Sequence, residues 1–514
     1  MRSFNFITLP VLLVMLATSP APGSTLDGET DPRVLTPVNG WYVQGDRVIW
    51  GYAQHNGWWR PGQRPNITRN AGIDIRPNRT EDLEKLTDNM LLWGYPGFEH
   101  NYGLWYDRRR DKHDNPRRED ADVVGPFFEQ PWMRSGEGRA WDGLSKYDLT
   151  RFNPWYFGRL KEFAAICDKK GTLLFHNFYM QHTLLETRAH WVDFPWREVN
   201  CIQSTMMPDS LPLANAFYDT TNTVRRKLHR LYIRKCLDEL GGFRNVIHLV
   251  SEEYTGPAHF IRFWLNVVAE WEQENGRRVH LALGATKDVQ DELLADPALA
   301  ARFGTIDLRY WCYKADGSLF APPGGKEVPG RYSLGTEASK TTPWQIYRQV
   351  RETRDSYPDK GIIHCFNASR KQTWAFLTAG GSAVIRYLEY PGSADPPEYI
   401  APEHAYIVKP AYDFLNGYLS QDLPRMKPLD ASLDNPRRNW CLAEPGKNYL
   451  CYLSEGGGLS LDLRGETGIF RAMWLDPRTG RLFPAAGGNV EAGRIVEFSA
   501  PDTTDWALWL TSHR

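Results

Sequence analysis

The sequence predicts an α/β chain: a (β/α)8 TIM barrel followed by a C-terminal all-β sandwich. Two observations lead there. From about Asp46 to Leu423, eight short apolar runs alternate with stretches of helical spacing. That is the pattern of parallel strands joined by helices, and eight such units with long insertions suit a barrel. After Pro424 the runs become short alternating segments separated by Gly, Asp and Pro, as in a sandwich. An open doubly wound sheet is the alternative for the first region. No GxGxxG turn follows a strand, so nothing supports dinucleotide binding.

In order, "DRVIWGYAQ" reads as the first strand, leading to His55, Asn56 and Trp58. "DNMLLWGYPGFEHN" supplies the second, with Glu99, His100 and Asn101 at its end. "PWYFGRLKEFAAICDKKG" has helical spacing and closes on Gly171. "TLLFHNFYMQH" is the third strand, carrying His176, Asn177, Tyr179 and His182. An amphipathic helix, "TVRRKLHRLYIRKCLDELGG", leads to the fourth, "NVIHLVSEEY", which stops on Glu252, Glu253 and Tyr254. "RVHLALGAT" is the fifth and "TIDLRYWCYKADG" the sixth, with Trp311, Tyr313 and Asp316 toward its end. "GIIHCFNAS" is the seventh, ending at Asn367, and "SAVIRYLEY" the eighth, with Arg386 and Glu389. In the last region "NYLCYL", "GLSLDL", "IFRAMWLDP", "RIVEFSAP" and "WALWLT" alternate, and "DPRTG" is a turn from Asp476-Pro477 to Gly480.

A chain of 514 residues exceeds one ordinary core. The expected division is a signal peptide over 1–23, a barrel over 24–424 and a sandwich over 425–514. The leader reading rests on Arg2, the apolar run Phe4 to Ala17, and the small residues Ala21 and Gly23. The run is too short for a membrane span and contains Pro10. The expected location is therefore secreted or periplasmic, with no membrane span. A net charge of −1 argues against nucleic acid or an anionic membrane as partner. Seven cysteines show no zinc spacing, so neither a metal nor a cofactor is expected. Cys441 and Cys451 flank a hairpin turning at Pro445-Gly446, which sets them nearly opposite and open to a disulfide in an oxidising compartment.

In a barrel enzyme the chemistry sits at the C-terminal ends of the strands. Here those ends gather carboxylates, amides and aromatics. Twenty Trp and 24 Tyr suit the apolar faces of sugar rings, though they also fill cores. Paired carboxylates serve glycoside hydrolysis: one protonates the leaving oxygen, while the other is nucleophile or base. Glu252 and Glu253 are strand neighbours that point to opposite sides, so they do not form that pair alone. "YGLWYDRRRDKHD" adds Asp107 and Arg108 in a charge run. It reads as a solvated stretch, or as a loop whose arginines hold an acidic sugar.

The strand "NVIHLVSEEY" resembles the fourth strand of retaining barrel glycosidases, where an Asn-Glu pair ends the strand and the Glu is the acid/base. The resemblance implies Glu253 as acid/base, with Glu252 in place of the Asn. "CLAEPGKNYLCYLSEGGGLSLDL", "FRAMWLDPRTGR" and "DTTDWALWL" resemble the β-sandwich, labelled collagen-binding, that follows the barrel in apiosidase-like glycoside hydrolases. Those enzymes carry a nucleophilic carboxylate on the seventh strand, where this chain has Asn367. Asp316, Glu337 and Glu389 are the substitutes, with Asp316 ranked first.

The expectation is an exported glycoside hydrolase acting on a plant or algal polysaccharide or its oligosaccharides. Glu253, Asp316 and Glu252 are the catalytic candidates. His55, Asn56, His176, Asn177, Tyr179, Trp311, Tyr313, Asp107, Arg108 and Glu389 are the substrate-binding candidates. A non-catalytic carbohydrate-binding protein and a polysaccharide lyase are the alternatives. If the leader is cleaved, N-terminal sequencing of exported protein reads from Ser24; a read from Met1 refutes it.

Overall fold

The computed structural model describes residues 36–54, 83–100, 130–181, 184, 194–210, 213–252, 254–324, 341–365, 369–387, 402–429, 433 and 435–512. All of them lie in one compact unit, Pro32–Arg514. Eight parallel strands form its central sheet: β1 (Gly51–Gln54), β2 (Gly97–His100), β3 (Leu173–Met180), β4 (Val246–Glu252), β5 (His280–Gly284), β6 (Thr305–Asp307), β7 (Gly361–Cys365) and β8 (Ala383–Tyr387). Each pairs with the next, and β8 pairs back with β1, so the sheet curls until it closes. Helices follow the strands in turn: α1 (Leu83–Leu92), α2 (Pro154–Lys170), α3 (Thr223–Leu240), α4 (Ala258–Asn275), α5 (Lys287–Leu294), α6 (Pro343–Ser356), α7 (Arg370–Thr378) and α8 (Pro402–Phe414).

Local signals place several of these ends. Asn153 accepts from the backbone of Trp155 and Tyr156 at the start of α2, and Gly171 ends it at φ 69°. Ser369 and Gln372 form a reciprocal capping box on α7.

Three expected strands come out shorter. Arg47–Val48 pairs back with Trp41–Gln44, and β1 begins only at Gly51. Asn416 bonds both the N–H and the carbonyl of Val48, which holds the chain off the sheet there. The run "DNMLL" is the end of α1. The sixth strand stops at Asp307, and Cys312–Tyr313 belongs to a separate hairpin with Leu319–Phe320. The Asp307 carboxylate accepts the backbone N–H of Arg309 at 3.1 Å, a local turn that competes with the ladder. Amides of Gln290 on α5 and Gln349 on α6 then take up the carbonyls of Asp307, Leu308 and Trp311.

The lower interior of the closed sheet is filled by Tyr42, Ile49, Leu173, Phe175, Ile247, Leu249, Ala282, Ile363 and Ala383. Tyr42 enters from outside the sheet and bonds Thr305 Oγ1 at 2.6 Å. A Cβ on Gly361 would lie 2.4 Å from the Tyr42 oxygen, so this position must be glycine. Arg354 of α6 ties the same end together. It donates to the carbonyls of Gly40, Pro358, Lys360 and Gly380, and to Ser382 Oγ.

The C-terminal region is antiparallel. Six strands form one sheet: β9 (Lys427–Pro428), β10 (Asn439–Glu444), β11 (Asn448–Leu453), β13 (Ile469–Leu475), β14 (Leu482–Glu491) and β16 (Trp506–Ser512). β12 (Gly458–Asp462) and β15 (Ile495–Ser499) form a second. The larger sheet is buried on both faces. Trp440, Leu442, Leu450 and Tyr452 join the core under the helices, while Cys441, Ala443, Tyr449 and Cys451 pack toward β12 and β15. Near-parallel rings cross the junction from Trp344 to Tyr347, Trp440, Tyr452 and Trp374. Beside them Arg370 of α7 grips the buried Asp505 carboxylate through two N–H donors at 2.9 and 2.6 Å, and Tyr452 donates to it at 2.8 Å.

Removing one partner of a buried ion pair costs about 3–5 kcal/mol; the Arg370 side chain is 31% exposed, so the lower end applies. Arg370→Ala should lose about 2–3 kcal/mol in urea unfolding at pH 7. Hydrogen bonds hold the Asp505 carboxyl below its ordinary value against the opposing effect of burial. The stability it contributes is therefore present above the ordinary carboxylate pKa and lost as pH falls. The gap between variant and parent should shrink below pH 4. An Arg370→Ala protein as stable as the parent at pH 7 would show that the junction rests on the rings alone.

Candidate functional site

Alternation along the closed strands sorts residues into an inner and an outer series. On β3, Leu173 and Phe175 belong to the inner core, and Asn177 is next. On β2, Glu99 is in register with Phe175. On β6, Asp307 follows Thr305 by two and is in register with Gly284 of β5. These inner groups meet above the apolar floor, at the C-terminal ends of their strands. Arg309 donates to both Glu99 oxygens at 3.1 and 3.2 Å. Its Nε donates to Asp307 Oδ2 at 2.5 Å. Asn177 Nδ2 donates to Glu99 Oε1 at 2.9 Å. All four residues are buried. Two carboxylates around one guanidinium leave an excess negative charge in a dry site. Burial accordingly raises the Asp307 carboxyl to about 6, with the Glu99 charge adding to the rise and Arg309 opposing it.

The outer series holds a row of histidines. His100, His176 and His248 are in register across β2, β3 and β4. His176 Nδ1 lies 3.3 Å from His248 Nδ1, and His100 Nε2 lies 3.1 Å from the Tyr156 hydroxyl of α2. Phe178 packs beside both His176 and His248, and against Trp264 of α4. Burial holds His176 and His248 well below the ordinary imidazole range, and neighbouring histidines push the same way. His176 is thus a neutral packing residue between sheet and helices, which corrects its expected place in the sugar site.

Other expectations also change. The Tyr179 hydroxyl donates to His229 Nδ1 of α3 at 2.9 Å within a cluster that includes Phe217 and Phe260, so it packs under helices. His229 Nε2 donates to Phe217 O at 2.8 Å, and burial lowers that imidazole to about 3. Trp311 donates to Gln290 and lies under Lys287, both on α5. Tyr313 donates to Glu352 of α6 at 2.6 Å beneath Arg348. Both aromatics are buried against helices rather than facing the strand-end cluster. Asp316 is exposed in the hairpin turn, accepting from Ser318 N and Oγ at 2.8 and 2.6 Å, with Gly317 at φ 86°. The bend after Asp307 removes it from the sixth strand, so it is a turn residue and not a strand-end acid.

Of the expected binding residues that are described, Asn177 alone joins the inner cluster. Glu252 ends β4, in register with Met180. His55, Asn56, Asp107, Arg108, Glu253, Glu337, Asn367 and Glu389 lie outside the described residues. Asp307 and Arg309 were missed because "TIDLRYWCY" reads as one continuous strand; the available signal was an Asp followed two residues on by Arg. Among the described residues no group of three His, Cys, Asp or Glu could hold a metal ion, and no helix is long and apolar enough to cross a membrane.

The fold is of a recognisable class: a curled parallel α/β sheet with an attached antiparallel domain. A glycoside hydrolase family 5 structure from Bacteroides vulgatus superposes with a TM-score of 0.54 at 10% identity, over 93% of each chain. A second glycoside hydrolase does so at 0.52 and 11%, over 93% of this chain and 97% of that one. At such identity the likeness is one of fold. The chain itself belongs to the family described as "Domain of unknown function (DUF6298)", which matches residues 25–389. Residues 430–511 match the family described as "Putative collagen-binding domain of a collagenase". No curated protein sequence matches the chain.

The buried histidines set an acid limit. His176, His248 and His229 stay neutral when folded, yet take up protons near the ordinary value of about 6.5 when unfolded. Their lowered values destabilise the fold as pH drops below that point. Asp307, raised to about 6, opposes them by one proton between about pH 4 and 6. Burial lowers His280 as well, so the histidines outnumber Asp307 and stability by urea unfolding should fall between pH 7 and 5.5. His248→Gln should flatten that slope. An unchanged slope would mean that His248 charges equally in both states.

Proposed function

We propose that this protein is an exported glycoside hydrolase that cleaves a plant or algal polysaccharide or its oligosaccharides. It would share its (β/α)8 catalytic scaffold with the apiosidase-like enzymes. The observation that carries the reading is the polar cluster on the inner side of the C-terminal strand ends, the position where barrel enzymes place their chemistry. The glycoside hydrolase folds that superpose on the chain support it.

Glu253 is the proposed general acid/base. On β4, Ile247 and Leu249 belong to the inner core, and counting on by twos reaches Ser251 and then Glu253. Glu252 falls in the alternate series with His248. An acid catalyst must keep its proton toward neutral pH, which nearby carboxylates and shielding from water favour in general.

One observation favours a second reading, carbohydrate binding without cleavage. Both oxygens of Glu99 and both of Asp307 already accept hydrogen bonds, and the seventh strand leads to Asn367 rather than an acid. Incubation with a panel of cello-, xylo-, galacturono- and alginate oligosaccharides separates the two: cleavage products support the hydrolase, binding without products the alternative. In the hydrolase, Glu253→Gln should cut turnover roughly 10²-fold or more on a substrate with a poor leaving group, with the fold intact by circular dichroism. Wild-type turnover in that variant would move the role to Glu252.

A further inference from the structure

Among the described residues, the inner cluster ends on one atom with nothing to bond. Asn177 Oδ1 is buried and, among the described residues, has no hydrogen-bond partner. The orientation of the amide is set by chemistry: Glu99 accepts only, so the NH2 must face it and the carbonyl oxygen must face away. The chain of contacts makes that aim rigid. Asp307 holds Arg309 through Nε, Arg309 holds both Glu99 oxygens, and Glu99 holds Asn177. A buried carbonyl oxygen without a donor carries a full desolvation penalty, and native proteins rarely leave one so.

We propose that Asn177 Oδ1 is the acceptor for one hydroxyl of the bound sugar, and that Asp307, Arg309 and Glu99 are positioning residues that hold it there. This deepens the glycoside reading and rests on it. The assignment also accounts for the two inner carboxylates without giving either a part in bond cleavage. Their oxygens are committed to fixing a neutral acceptor. Selectivity follows from the chemistry. A site built to accept a hydroxyl proton discriminates against the analogue that lacks it, because the oxygen is then left unpaired.

The test uses calorimetric titration of the Glu253→Gln protein with the same four oligosaccharide classes, then with the monodeoxy analogues of whichever sugar binds. Asn177→Ala and Asn177→Ser are compared in that background. Glu99 keeps both Arg309 bonds in either variant, so the folded state should survive, as near-ultraviolet circular dichroism would confirm. The expected result is a loss of affinity of roughly tenfold or more in both variants for the parent sugar. One deoxy analogue should bind parent and variants alike. Should a variant fail to fold, the deoxy series on the unsubstituted background still requires one hydroxyl whose removal costs about tenfold, and the other variant must reproduce that loss. Variants that bind every sugar as tightly as their parent, or that weaken all deoxy analogues equally, overturn the assignment while leaving the sugar site standing. If no oligosaccharide binds the parent, the glycoside reading falls first and this inference with it.

Discussion

A closed parallel sheet imposes strict alternation, and most of what distinguishes this molecule follows from that constraint. Each barrel strand has one face toward a narrow interior and one toward the helices. The interior of eight strands admits side chains in layers, with no room to spare. Tyr42, inserted through the space left by Gly361, closes the lower layer. The polar groups that remain inside are pushed to the upper ends of the strands, where Glu99, Asn177, Asp307 and Arg309 meet. One residue's shift along β3 separates Asn177 from His176. That single step decides which of the two joins the inner cluster.

Two buried arginines show two solutions to one electrostatic problem. Arg309 is matched by carboxylates, at the cost of an excess negative charge that Asp307 relieves by holding its proton more tightly. Arg354 has five neutral acceptors, four of them backbone carbonyls, and burial lowers its guanidinium to about 10. The carbonyls it gathers come from the entering strap, the turn after α6 and the turn after α7. It therefore works as a clamp on backbone at one end of the sheet, whereas Arg309 fixes side chains at the C-terminal ends of the strands.

The antiparallel region is no loosely attached appendage. Its larger sheet gives one face to the helices around the barrel and the other to its own small core. A sheet buried on both faces reads as continuous apolar sequence, which is why "NYLCYL" and "WALWL" carry so few polar residues. The ring stack from Trp344 to Trp374 and the Arg370–Asp505 pair then fix register between the two parts. Much of the aromatic content that suited a sugar-binding surface is spent here and in the layer between strands and helices.

Local physics was legible in the chain. The glycine stop at Gly171, the eight strand cores and the change to antiparallel segments after Pro424 are all written in neighbouring residues. Partners distant in sequence were not legible. The end of β6 depends on amides arriving from α5 and α6, so "TIDLRYWCY" hid the bend that makes Asp307 and Arg309 inner residues and leaves Asp316 in a turn. His176 looked like a site residue because a strand-end histidine is polar; only the register of three strands shows it in a buried row. The sequence by itself determined where strands and helices form, because propensity, capping and periodicity are short-range. Tertiary structure alone decided which side chains face the interior together, because that depends on register, closure and long-range hydrogen bonds such as the one that spans 210 residues from Arg309 to Glu99.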